Sequence, residues 1–396
     1  MDSVSRLPVF SVRNGFTQML IVHVIADLTT GGAEMMMKRL IEAHRGSSEF
    51  EHYVISLAGL GRIGPELQAA GITVEALGMR GPLDLLKVLR QLVKAFRRLQ
   101  PDIVHCWMYH ANLLGGLAAR LSGRRQVIWG IRAGSFDATM GVSRTTTFLR
   151  RALGPVSRFL PEVIVHVAHA ARLAHEKIGY AASKGLVIPN GYLPSRAKSY
   201  PDVRARLGIG ADEVVIGSIG RFNPAKDPRT FIEAAAIVAG ARPESRFLMI
   251  GPGMNPNAEL DAWIAARKLS EKFVLLDDCK DVDECLAAMD IFCLHSVTEA
   301  FPNVVAEAMS AGVPCVVSDV GDAAFLLNGA GLVVPPRNPK ALADGILELI
   351  EVGPEMRRET GARGQQRIAS HFSLDAIVRQ YEGLYRDMVE GSHPRK

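Results

Sequence analysis

The organisation of the chain is set by residues 19–34, which read MLIVHVIADLTTGGAE. Met19–Ala26 is an apolar run of strand length, and the glycine pair Gly31-Gly32 lies between this run and the next amphipathic segment. Strands that are buried on both faces of a parallel sheet carry such continuous apolar runs, and glycines between periodic segments mark turns. The stretch therefore predicts a strand, a glycine turn and a helix.

This strand-turn-helix unit recurs in two series along the chain. The first series predicts strands over Met19–Ala26, His52–Leu57, Ile72–Leu77, Ile103–Trp107, Val127–Ile131 and Val163–Val167. The second predicts strands over Val214–Ile219, Arg246–Ile250, Phe273–Leu276, Ile291–Leu294, Cys315–Ser318 and Leu332–Val334. Strands that alternate with helices form parallel sheets covered on both faces. We therefore predict an α/β fold with two doubly wound, Rossmann-like domains facing each other across a cleft.

The boundary between the two domains is predicted near Ile188–Tyr192, where Pro189 and Asn190-Gly191 favour a turn. The first domain then covers residues 18–190 and the second 191–372. The last helix, 373–390, has no evident partner in the second domain, and we expect it to pack back on the first.

Composition and charge narrow the classes of function. Of the 396 residues, 48% are hydrophobic and 22% charged, as in globular proteins with sizeable cores. Residues 1–190 hold 23 Lys and Arg against 13 Asp and Glu, whereas the remainder holds 23 against 28. The excess of positive charge in the first half suits an anionic partner such as a phosphate-bearing lipid or a membrane surface. A merely solvated basic face is the alternative, and the absence of a nucleic-acid motif argues against nucleic acid.

The termini and the cysteines indicate a cytoplasmic protein. Met1–Thr17 lacks the apolar stretch of a signal peptide, and the apolar run Met19–Leu28 is about half of a bilayer span. The five cysteines include no Cys-x-x-Cys pair. We expect buried thiols in a reducing compartment rather than a structural zinc or a disulfide framework.

Two turns in the predicted fold could hold phosphate. At Gly31-Gly32 a helix start would direct its unpaired N–H groups at negative charge; a turn made for packing is the alternative. After the first strand of the second domain, Arg221 and Lys226 lie five residues apart in one loop. An arginine and a lysine match the two charges of a diphosphate, although two solvated surface cations would look the same.

The third and most specific stretch reads SVTEAFPNVVAEAM over residues 296–309. Glu299 follows an apolar strand, and Pro302 stands where the first turn of a helix favours proline. The amides of Asn303 to Val305 would then be free to hold a phosphate or a sugar hydroxyl. Glu307 falls on the next turn, where its carboxylate could accept hydrogen bonds from ribose hydroxyls; a capping or salt-bridging pair of glutamates is the alternative.

These stretches, in this order, resemble family 4 of the retaining glycosyltransferases, which have the GT-B fold. The matching pieces are Gly31-Gly32-Ala33-Glu34, Ile188-Pro189-Asn190-Gly191, Gly220-Arg221 with Lys226-Asp227, the Glu-x7-Glu motif Glu299–Glu307, Gly312-Val313-Pro314 and Phe372-Ser373. The resemblance covers about residues 19–388. Its members that build bacterial surface polysaccharides are also similar to this chain around Val104–Gly116.

The resemblance implies a role for each matching residue. Arg221 and Lys226 would neutralise the donor diphosphate, and Gly31 and Gly32 would close on it from the first domain. Glu307 would hold the ribose. The remaining positions, which would contact the transferred sugar, are Glu299, Phe301, Pro302, Asn303 and Val304.

The resemblance also implies the reaction. It implies a retaining transfer from a nucleotide sugar, with UDP favoured, to a glycan or a lipid-linked glycan in polysaccharide biosynthesis. It implies no metal and no separate cofactor, so we interpret Asp281 and Asp283 as a helix start rather than a metal site.

The sequence departs from the family pattern at two positions in or next to the first domain. Arg132 stands where the family often has a histidine after the fifth strand. Arginine cannot act as a general base, but it could bind a sugar hydroxyl or a phosphate. Leu193 replaces the aspartate of Asn-Gly-x-Asp. We consider His110, predicted in a strand-to-helix loop, as the substitute contact to the sugar, with a helix-capping histidine as the alternative.

Other functions are also compatible with this sequence. A nucleotide-sugar epimerase or a phosphorylase would keep a similar architecture, and lost chemistry at Arg132 would leave a non-catalytic binding protein. Gly59–Gly64 spells the Gly-x-Gly-x-x-Gly of nicotinamide-dependent oxidoreductases, but it follows the second strand rather than the first. The helix Leu83–Leu99 has a leucine stripe flanked by basic residues, which suits either an anionic membrane surface or packing on the sheet.

Overall fold

A computed structural model of the chain describes residues 12–13, 16–29, 31–134, 144–197, 200, 202–277 and 281–391. The chain divides into two compact units, of which the first runs to Pro189 and resumes at Ile377, and the second covers Asn190–Ala376. Each unit has its own sheet, core and helices.

The first unit is built on a parallel sheet of seven strands in the order β5-β4-β3-β6-β7-β8-β9. These strands are β3 (Met19–Ile25), β4 (Phe50–Ser56), β5 (Thr73–Ala76), β6 (Ile103–Trp107), β7 (Val127–Ile131), β8 (Val163–His166) and β9 (Gly185–Val187). They are preceded by a short antiparallel pair, β1 (Val12–Arg13) and β2 (Phe16–Thr17). The edge strand β9 is not predicted from the sequence, because three half-buried residues carry no periodic pattern.

The helices of the first unit lie between these strands. They are α1 (Gly32–Ala43), α2 (Ile63–Ala69), α3 (Leu85–Leu99), α4 (Met108–Leu121), α5 (Arg144–Val156) and α6 (His169–Lys177). Helices α3, α4 and α5 pack side by side against the core, which includes Val24, Leu92, Phe96 and Trp129. Burial of such side chains contributes about 1.5–3 kcal/mol each.

The second unit has a six-stranded parallel sheet in the order β12-β11-β10-β13-β14-β15. The strands are β10 (Val214–Ile219), β11 (Ser245–Ile250), β12 (Phe273–Leu276), β13 (Ile291–Leu294), β14 (Cys315–Ser318) and β15 (Gly331–Val334). The helices are α7 (Val203–Arg206), α8 (Pro228–Ala241), α9 (Ala258–Ala265), α10 (Val282–Ala287), α11 (Asn303–Ser310), α12 (Ala323–Leu327), α13 (Pro339–Glu351) and α14 (Gly353–His371). Both units are doubly wound, so the predicted α/β fold class is confirmed.

The strand orders identify one switch point in each sheet. In the second unit the chain moves outward from β10 to β12 and then returns to the other side of β10 with β13. The first unit does the same around β3, with β6 on its far side. Loops that follow the strands on either side of a switch point diverge and leave a crevice where ligands bind. In the second unit this crevice lies after β10 and β13.

The last helix, α15 (Leu374–Glu390), begins in the second unit and belongs to the first from Ile377 onward. Tyr385 Oη lies 2.9 Å from His105 Nδ1 at β6, and Tyr381 Oη accepts from Arg132 Nη2 at 2.8 Å. Both tyrosine rings are fully buried. The helix is therefore an integral part of the core of the first unit.

The cysteines largely follow the expectation of buried thiols. Cys106, Cys293 and Cys315 are free and buried, and burial raises the pKa of the Cys293 thiol, which keeps it protonated. Cys285 is disulfide-bonded, contrary to the expectation of thiols throughout, and Cys279 lies outside the described residues. Among the described helices, none is both long enough and apolar enough to span a bilayer.

Candidate functional site

The loops after β10 and β13 meet at the switch point of the second unit. The two strands are neighbours in the sheet, and Val297 N donates to Ala225 O at 2.9 Å between the loops. Residues that are more than 70 positions apart in the sequence are thereby brought into contact. The second and third stretches identified from the sequence thus form one surface.

An ion pair between Lys226 and Glu299 lies at the centre of this surface. Lys226 Nζ is 2.6 Å from Glu299 Oε1, and the side chains are 26% and 14% exposed. Ser296 Oγ donates to the same carboxylate oxygen at 2.7 Å. The carboxylate holds the ammonium in place, and an ammonium has three donors, so the lysine can keep this contact and still donate to an anion.

The backbone of the first loop is shaped by short side-chain contacts. Asn223 Oδ1 accepts from Ala225 N at 2.8 Å. Asp227 is the N-cap residue of α8, and its carboxylate accepts from Thr230 N at 3.4 Å and from Thr230 Oγ1 at 2.7 Å. Asp227 has a φ of +50°, in the left-handed region, which side chains other than glycine adopt at a cost. A short 3-10 turn covers Pro224–Lys226, so Lys226 lies directly before Asp227, the residue with the unfavourable backbone conformation.

Arg221 begins the same loop but is not brought to the ion pair by any contact of the described residues. Its side chain is exposed, and the neighbouring Phe222 N donates to Pro252 O at 2.8 Å. The loop after β11 approaches closely here, because a Cβ on Gly251 would lie 2.3 Å from Gly220 O. The structure thus unites Lys226 with Glu299 and leaves the Arg221 side chain exposed to solvent.

Helix α11 presents one half-buried face, which carries predicted binding residues. Asn303, Val304 and Glu307 are partly exposed, whereas the rest of the helix is buried. Pro302 precedes the helix as its N-cap residue and makes no side-chain capping bond. Val305 N donates to Pro302 O at 3.0 Å, so the expectation that this amide is free was wrong. The N–H groups of Asn303 and Val304 at the start of the helix have no intrahelical acceptor and are donors for an anion or a hydroxyl, one turn away from the Glu307 carboxylate.

Two side chains in this motif have structural partners that sequence reasoning does not foresee. Asn303 Oδ1 accepts from Asn190 Nδ2 at 2.7 Å and from Tyr192 Oη at 2.6 Å. The Phe301 ring is 5% exposed and packs 6.4 Å from the Tyr192 ring, centroid to centroid. The Asn303 Oδ1 atom and the Phe301 ring are therefore engaged by contacts within the second unit.

Gly321, after β14, supports the Glu299 loop and is also missed by sequence reasoning. Its φ is +57°, and a Cβ there would lie 2.5 Å from Ala300 O and 2.7 Å from Glu299 O. The next residue, Asp322, donates its N–H to Ala300 O at 2.9 Å. Only glycine permits both this conformation and this approach, so the loop that carries Glu299 rests on Gly321.

In the first unit, Gly31 and Gly32 lie at the start of α1 as predicted for a glycine turn before a helix. Gly31 is the N-cap residue, in an extended conformation, and no side chain caps the helix. A Cβ on Gly31 would lie 2.4 Å from Glu34 Oε2, so the carboxylate of Glu34 fills the space beside the turn. Burial raises the pKa of this carboxyl group.

His110 lies on a helix rather than in the predicted strand-to-helix loop. Strand β6 ends at Trp107 and α4 begins at Met108, so the chain passes from strand to helix without a loop. The abrupt change of direction is made by Met108, whose φ is +69°. His110 is the third residue of α4, and its side chain is exposed.

Arg132 follows β7 and is engaged within the first unit on several sides. Nη1 donates to Ile188 O at 3.1 Å and Nη2 to Tyr381 Oη at 2.8 Å, and the guanidinium lies 5.4 Å from the centroid of the Trp107 ring. The side chain thus joins the end of the sheet to helix α15. This structural bracket is not evident from the sequence, where Arg132 is considered for contact with a ligand.

The two alternative motifs have structural explanations. Gly61 has a φ of +49°, and a Cβ there would lie 2.3 Å from Leu28 O, so the Gly59–Gly64 stretch serves a close approach of two loops. Asp281 Oδ1 accepts from Asp283 N at 3.0 Å as the N-cap of α10, so the interpretation as a helix start is confirmed. Across the described residues, no three His, Cys, Asp or Glu side chains are grouped so as to hold a metal ion.

Comparisons with known proteins agree with this architecture. Residues 30–196 match the family model described as Glycosyltransferase Family 4, and residues 213–352 match the one described as Glycosyl transferases group 1. Two curated relatives are aligned over most of the chain. The UDP-Gal:alpha-D-GlcNAc-diphosphoundecaprenol alpha-1,3-galactosyltransferase of Escherichia coli is 24% identical, over 78% of this chain and 81% of the relative. The capsular polysaccharide biosynthesis glycosyltransferase CapM of Staphylococcus aureus is 25% identical, over 78% of this chain and 82% of the relative.

Solved structures show the same fold. The crystal structure of HepE of Anabaena in complex with UDP superposes with a TM-score of 0.80 at 21% sequence identity, and the match covers 93% of this chain and 100% of that chain. At this identity the likeness establishes the architecture and leaves the ligand to be argued from the site.

Proposed function

Because this chain belongs to glycosyltransferase family 4, we propose that it transfers a sugar from a UDP-sugar, with retention at the anomeric carbon, to a lipid-linked glycan in bacterial polysaccharide biosynthesis. The observation that carries the proposal is the Lys226–Glu299 pair at the switch point of the second unit, beside the free N-terminus of α11. Both curated relatives support the assignment of this chain as a glycosyltransferase of polysaccharide biosynthesis.

In the proposed complex the second unit holds the donor. Lys226 and the exposed Arg221 neutralise the diphosphate, while Glu307 accepts hydrogen bonds from the ribose hydroxyls. Glu299 and the amides at the start of α11 contact the transferred sugar. The arrangement suits such a ligand because cationic, carboxylate and N–H groups line one edge of one sheet, each matched to a different part of a nucleotide sugar.

The chemical step is the exchange of one bond at the anomeric carbon. The bond from this carbon to the donor phosphate breaks as the acceptor oxygen bonds to the same face of the sugar, and the acceptor proton leaves with the departing diphosphate. Charge accumulates on the leaving phosphate, so positive groups placed beforehand stabilise the transition state more than the ground state. We therefore assign Lys226 the largest part of the rate enhancement.

We propose that no metal ion takes part, since Lys226, Arg221 and a helix N-terminus supply the positive charge that Mg²⁺ supplies elsewhere. An assay in EDTA and an assay with added Mg²⁺ test this directly. Equal rates are expected, and a rate that depends on the divalent ion would contradict the proposal.

The first unit is proposed to meet its acceptor at an anionic membrane surface on the cytoplasmic side. Leu83, in the turn just before α3, and Leu86, in its first turn, are 101% and 68% exposed. The exposed basic residues of the helix are Lys87, Arg90, Lys94, Arg97 and Arg98. Apolar side chains beside basic ones bind anionic lipid, and each basic residue adds about 1 kcal/mol near such a surface.

A direct test of the proposed function is to titrate the protein with UDP-sugars, GDP-sugars and nicotinamide dinucleotides while following thermal unfolding. A ligand present at 100 times its Kd stabilises the folded state by about 2.7 kcal/mol. Stabilisation by UDP-sugars, followed by release of UDP when a lipid-linked glycan is added, is expected. A product analysis distinguishes the alternatives: an epimerase would change the sugar without releasing UDP, and a phosphorylase would require inorganic phosphate.

A further inference from the structure

His295, directly after β13, connects the two strands of the switch point to the loop that carries Lys226. The residue is 4% exposed, and both ring nitrogens have partners. Nε2 lies 2.7 Å from Ser218 Oγ on the neighbouring strand β10. Nδ1 lies 2.5 Å from Lys226 O and 3.1 Å from Asp227 O.

These contacts determine which nitrogen of the ring carries the proton. Carbonyl oxygens only accept hydrogen bonds, so Nδ1 is the N–H and donates to Lys226 O and Asp227 O. In the neutral ring Nε2 is then an acceptor, and Ser218 Oγ donates to it. Burial lowers the pKa of His295 to about 4, so this arrangement persists throughout the neutral pH range.

The loop needs such a donor because of its shape. Asp227 has a φ of +50°, and the two carbonyl groups before and at this strained residue both point at the imidazole. Asp227 O also accepts from Thr230 N at 3.1 Å, so Lys226 O is the carbonyl group that depends on the ring. A carbonyl group that is buried without a donor costs about 1–3 kcal/mol, which would favour another loop conformation. The ring is itself held flat against Phe231 of α8, with centroids 5.0 Å apart and planes at 25°.

We propose that His295, oriented by Ser218, is a positioning residue for donor binding. Its Nδ1 donates to the backbone carbonyl group of Lys226, while the Glu299 carboxylate pairs with the side-chain ammonium group of the same lysine. Lys226 is thus fixed at both ends, and its charge is placed before the donor arrives, which lowers the cost of ordering it in the complex. The inference rests on the proposed function, since it assumes that Lys226 binds the donor diphosphate.

Two substitutions at the same position separate positioning from packing. The side-chain amide nitrogen of asparagine occupies nearly the place of histidine Nδ1, so His295→Asn retains a donor for the loop, whereas His295→Leu keeps bulk and loses the donor. We expect His295→Leu to weaken UDP-sugar affinity by about tenfold, equivalent to about 1.4 kcal/mol, and His295→Asn to restore most of it. Isothermal titration with the intact chain measures both.

A double-mutant cycle gives the decisive readout. If His295 acts through Lys226, then Lys226→Ala costs much less donor affinity in the His295→Leu background than in the wild-type background. Additive losses, or wild-type affinity in His295→Leu, would overturn the inference. Should His295→Leu fail to fold, Ser218→Ala in place of it completes the cycle, because it removes the partner that orients the ring.

The first unit offers a matched control in His175. This histidine is also buried; its Nδ1 lies 2.7 Å from Ala171 O and its Nε2 3.1 Å from Tyr109 Oη. His175→Leu should lower the free energy of unfolding by about as much as His295→Leu does and should leave donor affinity unchanged. If wild-type protein binds no nucleotide sugar, or if Lys226→Ala binds it as well as wild type, the proposed function fails; if only the cycle is additive, the inference about His295 fails alone.

Discussion

The two units use buried polar groups for opposite purposes. In the first unit six buried histidines, His23, His44, His52, His105, His166 and His175, lie within or beside the core. Among the described residues of the second unit, only His295 is a buried histidine. In the first unit most of these rings connect core elements to one another, whereas His295 shapes the loop that carries the candidate donor site. The same side-chain chemistry therefore stabilises architecture in one unit and a site in the other.

Three histidines of the first unit, His23, His52 and His44, form an ordered hydrogen-bonded chain that ends on helix α15. Trp107 Nε1 donates to His23 Nδ1 at 3.1 Å, and an indole can only donate. Neutral His23 then donates from Nε2 to His52 Nδ1 at 2.9 Å, and His52 in turn donates from Nε2 to His44 Nδ1 at 2.9 Å. His44 Nε2 is left facing Glu382 Oε1 at 3.3 Å. One indole thus sets the tautomer of every ring as far as the last helix.

The largest expected difference between the units is their response to acid. Burial lowers the pKa of His23, His52 and His105 well below the usual value. The unfolded chain binds protons at these residues as the pH falls through about 6.5, while the folded chain does not, so stability is lost toward low pH. Burial also lowers the pKa of His166 to about 3 and that of His175 to about 4, and these five groups give a limiting slope of about 7 kcal/mol per pH unit below pH 6.5, against about 1.4 for His295 alone.

Urea unfolding between pH 7 and pH 5 tests this contrast. Trp107 and Trp129 report on the first unit, and Trp263 on the second. The Trp263→Phe variant isolates the first signal, and its difference from wild type isolates the second. Equal slopes for the two signals would show that the buried histidines of the first unit are not responsible for the acid sensitivity.

Next in size is the loss of the charge at the candidate donor site. We expect Lys226→Ala to lower kcat/KM by 100- to 1,000-fold, or about 2.7–4 kcal/mol, as for removal of one preorganised group that stabilises transition-state charge. Lys340→Ala is the control, because Lys340 lies in the same unit and pairs with Asp344 on an exposed helix face. A Lys226→Ala enzyme with wild-type kcat/KM would remove the main support for the site.

A smaller effect, on the stability of the first unit, is expected when the hydrogen bonds of Arg132 are removed. Arg132→Met leaves Ile188 O and Tyr381 Oη without their donor, which we expect to cost about 1.5–3 kcal/mol of stability in the first unit. Donor affinity, which we assign to the second unit, should not change. Chemical denaturation and donor titration of the same variant separate these results; a large loss of donor affinity at wild-type stability would instead assign Arg132 to the site.

The smallest effect on folding is expected at the exposed leucines of the first unit. Substitution of both Leu83 and Leu86 by Ser should change stability by less than about 0.5 kcal/mol per site and should weaken binding to vesicles that contain anionic lipid. Sedimentation with phosphatidylglycerol vesicles and with phosphatidylcholine vesicles measures this. Leu193→Ser, at a 60% exposed leucine of the second unit, is the matched control. Equal binding by the two variants would argue against α3 as the docking surface.

Much of the architecture could be predicted because it depends on local periodicity. All six strands of the second sheet lie where apolar runs predict them, since each is bounded by turn residues. The edge strand β9 in the first sheet was missed, because pairing with β8 rather than its own composition defines it. The placement of His110 was wrong for a related reason: the abrupt turn at Met108 carries no sequence signal.

What the sequence determined by itself is the alternation of strands and helices and the residue types at the ends of β10 and β13. What only the tertiary structure decided is which of those residues meet. Lys226 and Glu299 lie 73 positions apart and become partners because β13 returns beside β10. The partners of Asn303, Arg132 and His295 are equally remote in the chain. A hydrogen bond between distant residues depends on where the whole sheet places two backbones, and no local pattern encodes that distance.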